Sequence, residues 1–128
     1  MKLMSFTKNG VAGFGAVQGD SVVDFSYKYP DLKSFLASGD SSVDGDLIAI
    51  SDIKFEPVIP NPSKIICVGV NYASHIAEMG REPGEYPLLF TRFANSQVGH
   101  NEPMLAPQES AKFDYEGELA VIIGEGGR

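Results

Sequence analysis

The sequence predicts an α+β protein that is mostly β. Asn9-Gly10 stands between two short apolar runs, and this dipeptide is a strong signal for a tight β-hairpin turn. Residues 64–70 form a nearly continuous apolar run rich in β-branched side chains, which is typical of a strand buried on both faces. The helical patterns, at 30–39 and 71–80, are short. Strands therefore carry most of the predicted core.

The first 60 residues predict a small β-rich unit with one helix. Strands are expected at residues 3–6, 11–17 and 21–25, separated by turns that contain Gly and Asn or Asp. Pro30 suits the first turn of a helix because its missing N–H would be unpaired there in any case. Gly39 is a suitable stop because glycine readily adopts the left-handed conformation that ends helices.

A domain boundary is predicted near residue 60, where Pro57, Pro60 and Pro62 stiffen the chain. We therefore predict a small N-terminal domain at 1–60 and the start of a second domain at 61–128. The second domain begins with the apolar strand and the short helix already described. It continues through an irregular Pro-containing loop at 81–87 to a strand at 88–93.

Composition excludes some classes of partner. The chain has 128 residues and a formal net charge of −7, which argues against a nucleic-acid or anionic-membrane surface. No apolar run approaches the roughly 20 residues that span a bilayer, and the polar residues at 7–10 interrupt any signal-peptide core. The single cysteine, Cys67, is expected to pack as a small apolar residue. We expect a cytoplasmic protein.

The segment 113–124 places three carboxylates at alternate positions, on Asp114, Glu116 and Glu118, before an apolar run. We expect a β-strand here, in which these side chains would share one face, with alternate Cα atoms roughly 6.6 Å apart. Carboxylates at this spacing could bind one divalent cation. The spacing alone favours a solvated acidic edge ahead of a core strand over a metal site.

His75 and Glu78 are three residues apart, so a helix would place them on the same face. A carboxylate that orients a histidine makes a good general base near neutral pH. The spacing alone favours an exposed ion pair of little energetic value. Phe90 and Arg92 would share one face of the strand at 88–93, where Arg92 could bind a substrate carboxylate or pair with a surface acid. His100 is expected to be a loop residue.

Three segments of the chain, in this order, resemble the fumarylacetoacetate hydrolase superfamily. They are Asn61-Pro62-Ser63-Lys64-Ile65-Ile66-Cys67-Val68-Gly69-Val70-Asn71-Tyr72 with His75, then Pro87-Leu88-Leu89-Phe90, then Asp114-Tyr115-Glu116-Gly117-Glu118-Leu119-Ala120-Val121-Ile122-Ile123-Gly124. The resemblance implies that the second domain begins a mixed β-roll, and that members are commonly dimers. We therefore expect a homo-oligomer.

The resemblance also implies a site. Glu116 and Glu118 match the family's metal-binding glutamates, with Mg²⁺ as the usual ion and Mn²⁺ or Ca²⁺ as substitutes. His75 and Glu78 match the pair that activates water in acylpyruvase-like members. Phe90 and Arg92 are the substrate-binding candidates. The implied activity is metal-dependent hydrolysis of a C–C bond in a 1,3-diketo or acylpyruvate-type acid, so the expected partner is a small 2-oxo or diketo acid.

The chain departs from the family pattern at its end. The family's third metal ligand, an aspartate, and a substrate-binding lysine lie further along than residue 128, so we expect the catalytic domain to be incomplete here. Two alternatives to hydrolysis stay open. One is decarboxylation or isomerisation of a β-keto acid with the same cation. The other is a catalytically silent fragment with a structural role.

Overall fold

A computed structural model describes residues 1–80, 82, 84–115, 117–124 and 126. The chain forms two compact units, one made of residues 1–60 with 98–128 and the other of residues 61–97. Among the described residues, no helix is both long and apolar enough to cross a membrane.

The first unit contains a five-stranded antiparallel sheet in the order β4-β3-β2-β1-β5. Its strands are β1 (Leu3–Lys8), β2 (Val11–Gln18), β3 (Ser21–Asp24), β4 (Asp46–Ala49) and β5 (Lys54–Phe55). The hairpin between β1 and β2 turns at Asn9 and Gly10, whose φ angles of 51° and 80° are both positive. Two consecutive positive φ values give the turn whose twist matches a hairpin. The predicted hairpin is confirmed.

One α-helix, α1 (Leu32–Ser38), lies between β3 and β4 in the sequence. It begins at Asp31, whose side chain accepts a hydrogen bond from the backbone N–H of Ser34 at 2.7 Å. Such a cap satisfies one of the unpaired N–H groups of the first turn. The helix ends at Gly39, which has φ of 69°. The predicted stop at Gly39 is confirmed, while the helix starts just after Pro30-Asp31.

The sheet carries a hydrophobic cluster on each face because side chains alternate along its strands. Under α1, Phe25 lies 4.8 Å from Phe35 and 5.2 Å from Phe14, measured between ring centroids. On the other face, Phe6 is buried in a cluster with Met4, Val22 and Ile48. These clusters give the first unit a packed core.

The second unit is a two-stranded antiparallel sheet with one short helix. Strand β6 (Ile65–Gly69) pairs with β7 (Leu88–Arg92), and α2 (Ala73–Glu78) lies between them in sequence. The two strands and the helix lie where the sequence predicted them. The prediction that the first strand is buried on both faces is wrong, because β6 has only one partner strand and Ile66 is 60% exposed. Of the loop predicted at 81–87, Arg81 and Pro83 lie outside the described residues.

The strand predicted at 113–124 is wrong for the residues that are described. Residues 113–115 and 117–124 belong to no strand of either sheet. Leu119, Val121 and Ile123 are 85%, 78% and 75% exposed. A strand depends on hydrogen bonds from a neighbour rather than on its own sequence. Asp114 and Glu118 therefore do not share a strand face here, and Glu116 lies outside the described residues.

Candidate active site

The end of β6 and the start of α2 form a sharp turn. Strand β6 ends at Gly69, and Val70 then has a positive φ of 55°. Tyr72 returns to an extended conformation as the residue that begins α2, and it makes no side-chain capping bond. Residues 70–72 thus form the turn between the two elements. It carries the chain from a sheet strand into the helix that bears His75.

His75 and Glu78 lie together on α2, as predicted. Nδ1 of His75 is 3.6 Å from Oε2 of Glu78, and the two side chains are 56% and 76% exposed. This distance is longer than an N–H···O hydrogen bond, so the contact is a solvent-screened ion pair when the histidine is protonated. The geometry leaves Nε2 as the ring nitrogen that faces away from the carboxylate. The pair can move a proton through Nε2.

A cavity of about 310 Å³ lies beside this turn, at the end of the β6–β7 strand pair where Gly69 pairs with Leu88. Its wall is mainly apolar, with three polar side chains. The lining residues are Val68, Gly69, Val70, Asn71, Ile76, Glu82, Gly84, Tyr86, Pro87 and Leu88. This volume is at the lower end of the range for small-molecule sites. His75 does not line it, but the next residue on α2, Ile76, does.

The substrate-binding candidates lie further along β7. Phe90 is paired with Cys67 and Arg92 with Ile65, and both share a strand face with Leu88, which lines the cavity. Arg92 donates a hydrogen bond from Nε to Oγ of Ser96 at 3.3 Å. Neither Phe90 nor Arg92 is among the lining residues. They form a row that leads away from the cavity along β7.

The metal-ligand candidates are not brought together in the part of the chain that is described. Glu116 lies outside the described residues, and Glu118 is exposed. Asp114 accepts a hydrogen bond from the backbone N–H of Tyr115 at 2.8 Å. Among the residues with described positions, no three His, Cys, Asp or Glu side chains converge. Carboxylate oxygens are suitable ligands for Mg²⁺. The described carboxylates, however, do not converge into a magnesium site.

Sequence reasoning assigned no role to Val70, Asn71 or Tyr86, which all line the cavity. Val70 and Asn71 could have been found, because they follow directly on a buried apolar strand and precede a helix. Polar groups at such turns are often functional. No comparable signal marks Tyr86, which stands in an irregular loop.

His100 is a loop residue, as predicted, and it packs against β5 within the first unit. Its ring lies 5.1 Å from that of Phe55, in an edge-on arrangement. Nearby, Nζ of Lys54 is 3.5 Å from Oε2 of Glu102. These contacts give His100 a packing role in the first unit.

Comparison with known proteins identifies a family. Residues 64–128 match the family model described as fumarylacetoacetate (FAA) hydrolase, C-terminal. A mitochondrial oxaloacetate tautomerase from Xenopus laevis is 33% identical over 91% of this chain and 40% of its own length. The oxaloacetate tautomerase YisK from Bacillus subtilis (strain 168) is 42% identical over 63% of this chain and 28% of its own length.

A third relative, a mitochondrial oxaloacetate tautomerase from Bos taurus, is 30% identical over the whole of this chain. The match covers 46% of that protein. The chain thus spans less than half the length of these relatives.

Proposed function

The chain belongs to the fumarylacetoacetate hydrolase family. We propose that it acts as an enzyme that interconverts the keto and enol forms of a small 2-oxo acid. The observation that carries the proposal is the pairing of His75 with Glu78 on α2, beside a cavity of small-molecule size. Tautomerisation needs a base and an acid but no attacking water. The relatives from Xenopus laevis and Bos taurus, which align with 91% and 100% of this chain, carry the name oxaloacetate tautomerase, which supports the proposal.

The proposed chemistry is a proton transfer. Nε2 of His75 removes a proton from the carbon next to the 2-oxo group, so a C–H bond breaks and its electron pair forms the enolate. The imidazolium then returns that proton to the enolate oxygen, which gives the enol. Glu78, on the Nδ1 side, holds the ring in the tautomer with a basic Nε2 and stabilises the imidazolium. Its contact with His75 must shorten to a hydrogen bond in the ligand complex.

Mg²⁺ belongs to this proposal as the expected cofactor, with Glu116 and Glu118 as its proposed ligands. A bound divalent cation stabilises negative charge that develops on oxygen. Arg92 is proposed to bind a carboxylate of the substrate through its terminal Nη groups, since Nε is engaged by Ser96. Phe90 shares the strand face with Arg92 and is proposed to contact the substrate's carbon chain.

Hydrolysis of a C–C bond in an acylpyruvate-type acid is the second candidate. The description of the matching family model favours it. In that reaction His75 would take a proton from water, and the hydroxide would attack the distal carbonyl. Decarboxylation of a β-keto acid is a third reaction that the same site could support.

The test is an NMR assay of the 128-residue chain in D₂O with Mg²⁺, using oxaloacetate and acetylpyruvate. Tautomerisation exchanges the hydrogens at C3 for deuterium, hydrolysis releases acetate and pyruvate, and decarboxylation releases pyruvate alone. We expect C3 exchange that His75→Ala lowers by about 100-fold or more, in line with the usual contribution of a general base. Glu78→Gln should lower it less.

His100→Ala is the matched control, because His100 is the other histidine and packs on Phe55 instead. It should leave the exchange rate unchanged. Acetate release that depends on His75 would show that the function is hydrolysis and not tautomerisation. No reaction with any substrate would favour a purely structural part for the chain.

We also propose self-association. Ile66, Leu89 and Phe93 are 60%, 58% and 78% exposed in the second unit, and a two-stranded sheet is marginal in water without further cover. Sedimentation velocity over a hundredfold concentration range should show a dimer or larger species. A monomer throughout would refute this part of the proposal.

A further inference from the structure

Val70 adopts a backbone conformation that suits its side chain poorly. Its φ is 55°, in the left-handed region. The other non-glycine residues described with positive φ are Asn9 and Asn101. Asparagine tolerates this region because its short polar side chain can bond locally, whereas a β-branched side chain is an outlier there. Glycine would adopt the same backbone without strain.

The strained residue lies at the candidate active site. Val70 is half-buried and lines the cavity between Gly69 and Asn71, on the wall that Ile76 of α2 also forms. It is the first residue of the turn that leads from β6 into the helix bearing His75. Strained backbone that persists at a ligand cavity is commonly held there for function.

We propose that Val70 is a specificity-determining residue, kept at this strained position because its isopropyl group forms the cavity wall against the carbon chain of the substrate. The inference rests on the proposed function and adds a substrate class to it. The apolar wall selects a short 2-oxo acid and excludes one that is longer by a methylene group. A glycine would relax the turn but would leave that part of the wall open.

Two variants separate the effect of the Val70 side chain from the effect of its backbone strain. Val70→Ala removes two methyl groups and keeps a Cβ, so the backbone strain persists. Val70→Gly removes the methyl groups and the strain together. Asn101→Gly is the matched control, since it also introduces glycine at a positive φ, of 61°, but outside the cavity lining.

The first measurement is amide hydrogen exchange of β6 and α2. Val70→Gly should slow exchange there by about tenfold, because relief of strain disfavours local opening. Val70→Ala should not slow it, and Asn101→Gly should leave these amides unchanged. If Val70→Gly fails to slow exchange, the backbone of Val70 is not strained in the folded state. The inference is then overturned, whatever reaction the chain catalyses.

The second measurement is deuterium exchange at C3 of oxaloacetate and of 2-oxoglutarate, which is one methylene longer. The ratio of kcat/KM for the two acids should fall by about tenfold in both Val70→Ala and Val70→Gly, as expected for one methylene in an apolar pocket. An unchanged ratio in both variants overturns the inference and leaves the proposed function standing. If the unaltered chain exchanges neither acid, the proposed function falls, and the inference falls with it.

Discussion

The ring of His100 packs edge-on against the ring of Phe55, with centroids 5.1 Å apart and planes at 77°. It belongs to a docking turn, residues 98–102, which a backbone hydrogen bond from Glu102 to Gly99 closes at 3.1 Å. The salt bridge between Lys54 and Glu102 lies beside it. The ring contact and the salt bridge therefore hold the docking turn against β5, at an edge of the five-stranded sheet. Covering an edge strand in this way limits unwanted pairing with other chains.

Gly99→Ala should detach the docking turn. A Cβ at this position would overlap the carbonyl group of Phe55 and come within 3.2 Å of Cα of Glu56. Because these are backbone atoms, the turn itself must shift, at a cost of about 1–3 kcal/mol. Amide exchange of residues 98–102 should rise by about tenfold. Gly124→Ala is the control, since nothing lies within 4 Å of its Cβ position. Equal exchange in the two variants would contradict the close approach.

Asp40 should titrate below its ordinary range. The backbone N–H of Ser42 donates to Oδ1 at 2.8 Å, and the hydroxyl groups of Ser42 and Tyr29 donate to Oδ2 at 2.8 and 3.0 Å. These bonds, led by the backbone one, lower the pKa of Asp40 from 3.8. Its contribution to stability is therefore present above pH 3.8 and disappears as the pH falls through the lowered pKa.

The measurement for Asp40 is an NMR titration of its side-chain carboxyl carbon. Ser42→Ala and Tyr29→Phe should each raise the pKa of Asp40 toward its ordinary value, because each removes one donor to the carboxylate. Ser42→Ala keeps the backbone donor, so it should restore only part of the shift. A pKa in the unaltered chain that is not below 3.8 would show that the loop is arranged differently in solution.

Phe35→Ala should strongly destabilise the first unit. The ring of Phe35 is 2% exposed and packs against Phe25, Phe14 and Tyr29. Removing a buried phenylalanine side chain costs about 3–5 kcal/mol in the free energy of unfolding. Phe35→Leu should cost less because it fills part of the space. Leu47→Ala, at a site that is 66% exposed, should change it by less than about 0.5 kcal/mol. Urea denaturation followed by circular dichroism measures all three.

Glu116→Gln combined with Glu118→Gln should abolish divalent-cation binding if these glutamates are the ligands. Calorimetric titration of the unaltered chain with Mn²⁺ should show saturable binding, because carboxylate oxygens are preferred ligands of hard cations. Asp44→Asn combined with Asp46→Asn removes the same charge elsewhere and controls for general electrostatic attraction. Equal loss in the two double variants would mean that net charge, and not a site, attracts the ion.

The sequence was most informative where structure depends on neighbours along the chain. Asn9-Gly10 predicted the hairpin because the turn type requires positive φ at both residues, and the structure has them. Gly39 predicted the end of α1 for a similar reason. The i, i+3 spacing of His75 and Glu78 likewise sufficed to bring them together once a helix formed.

Tertiary structure decided what depends on distant partners. The alternation at 113–124 is a good strand pattern, yet its described residues form no strand, because a strand requires a neighbouring strand that its own sequence cannot supply. The same holds for the cavity, where β6, α2 and the loop before β7 place Val70, Ile76 and Tyr86 around one space. The left-handed backbone of Val70 also ran against local preference, which favours extended conformations for valine. Surrounding packing can impose such a conformation because its total energy exceeds the preference of one residue.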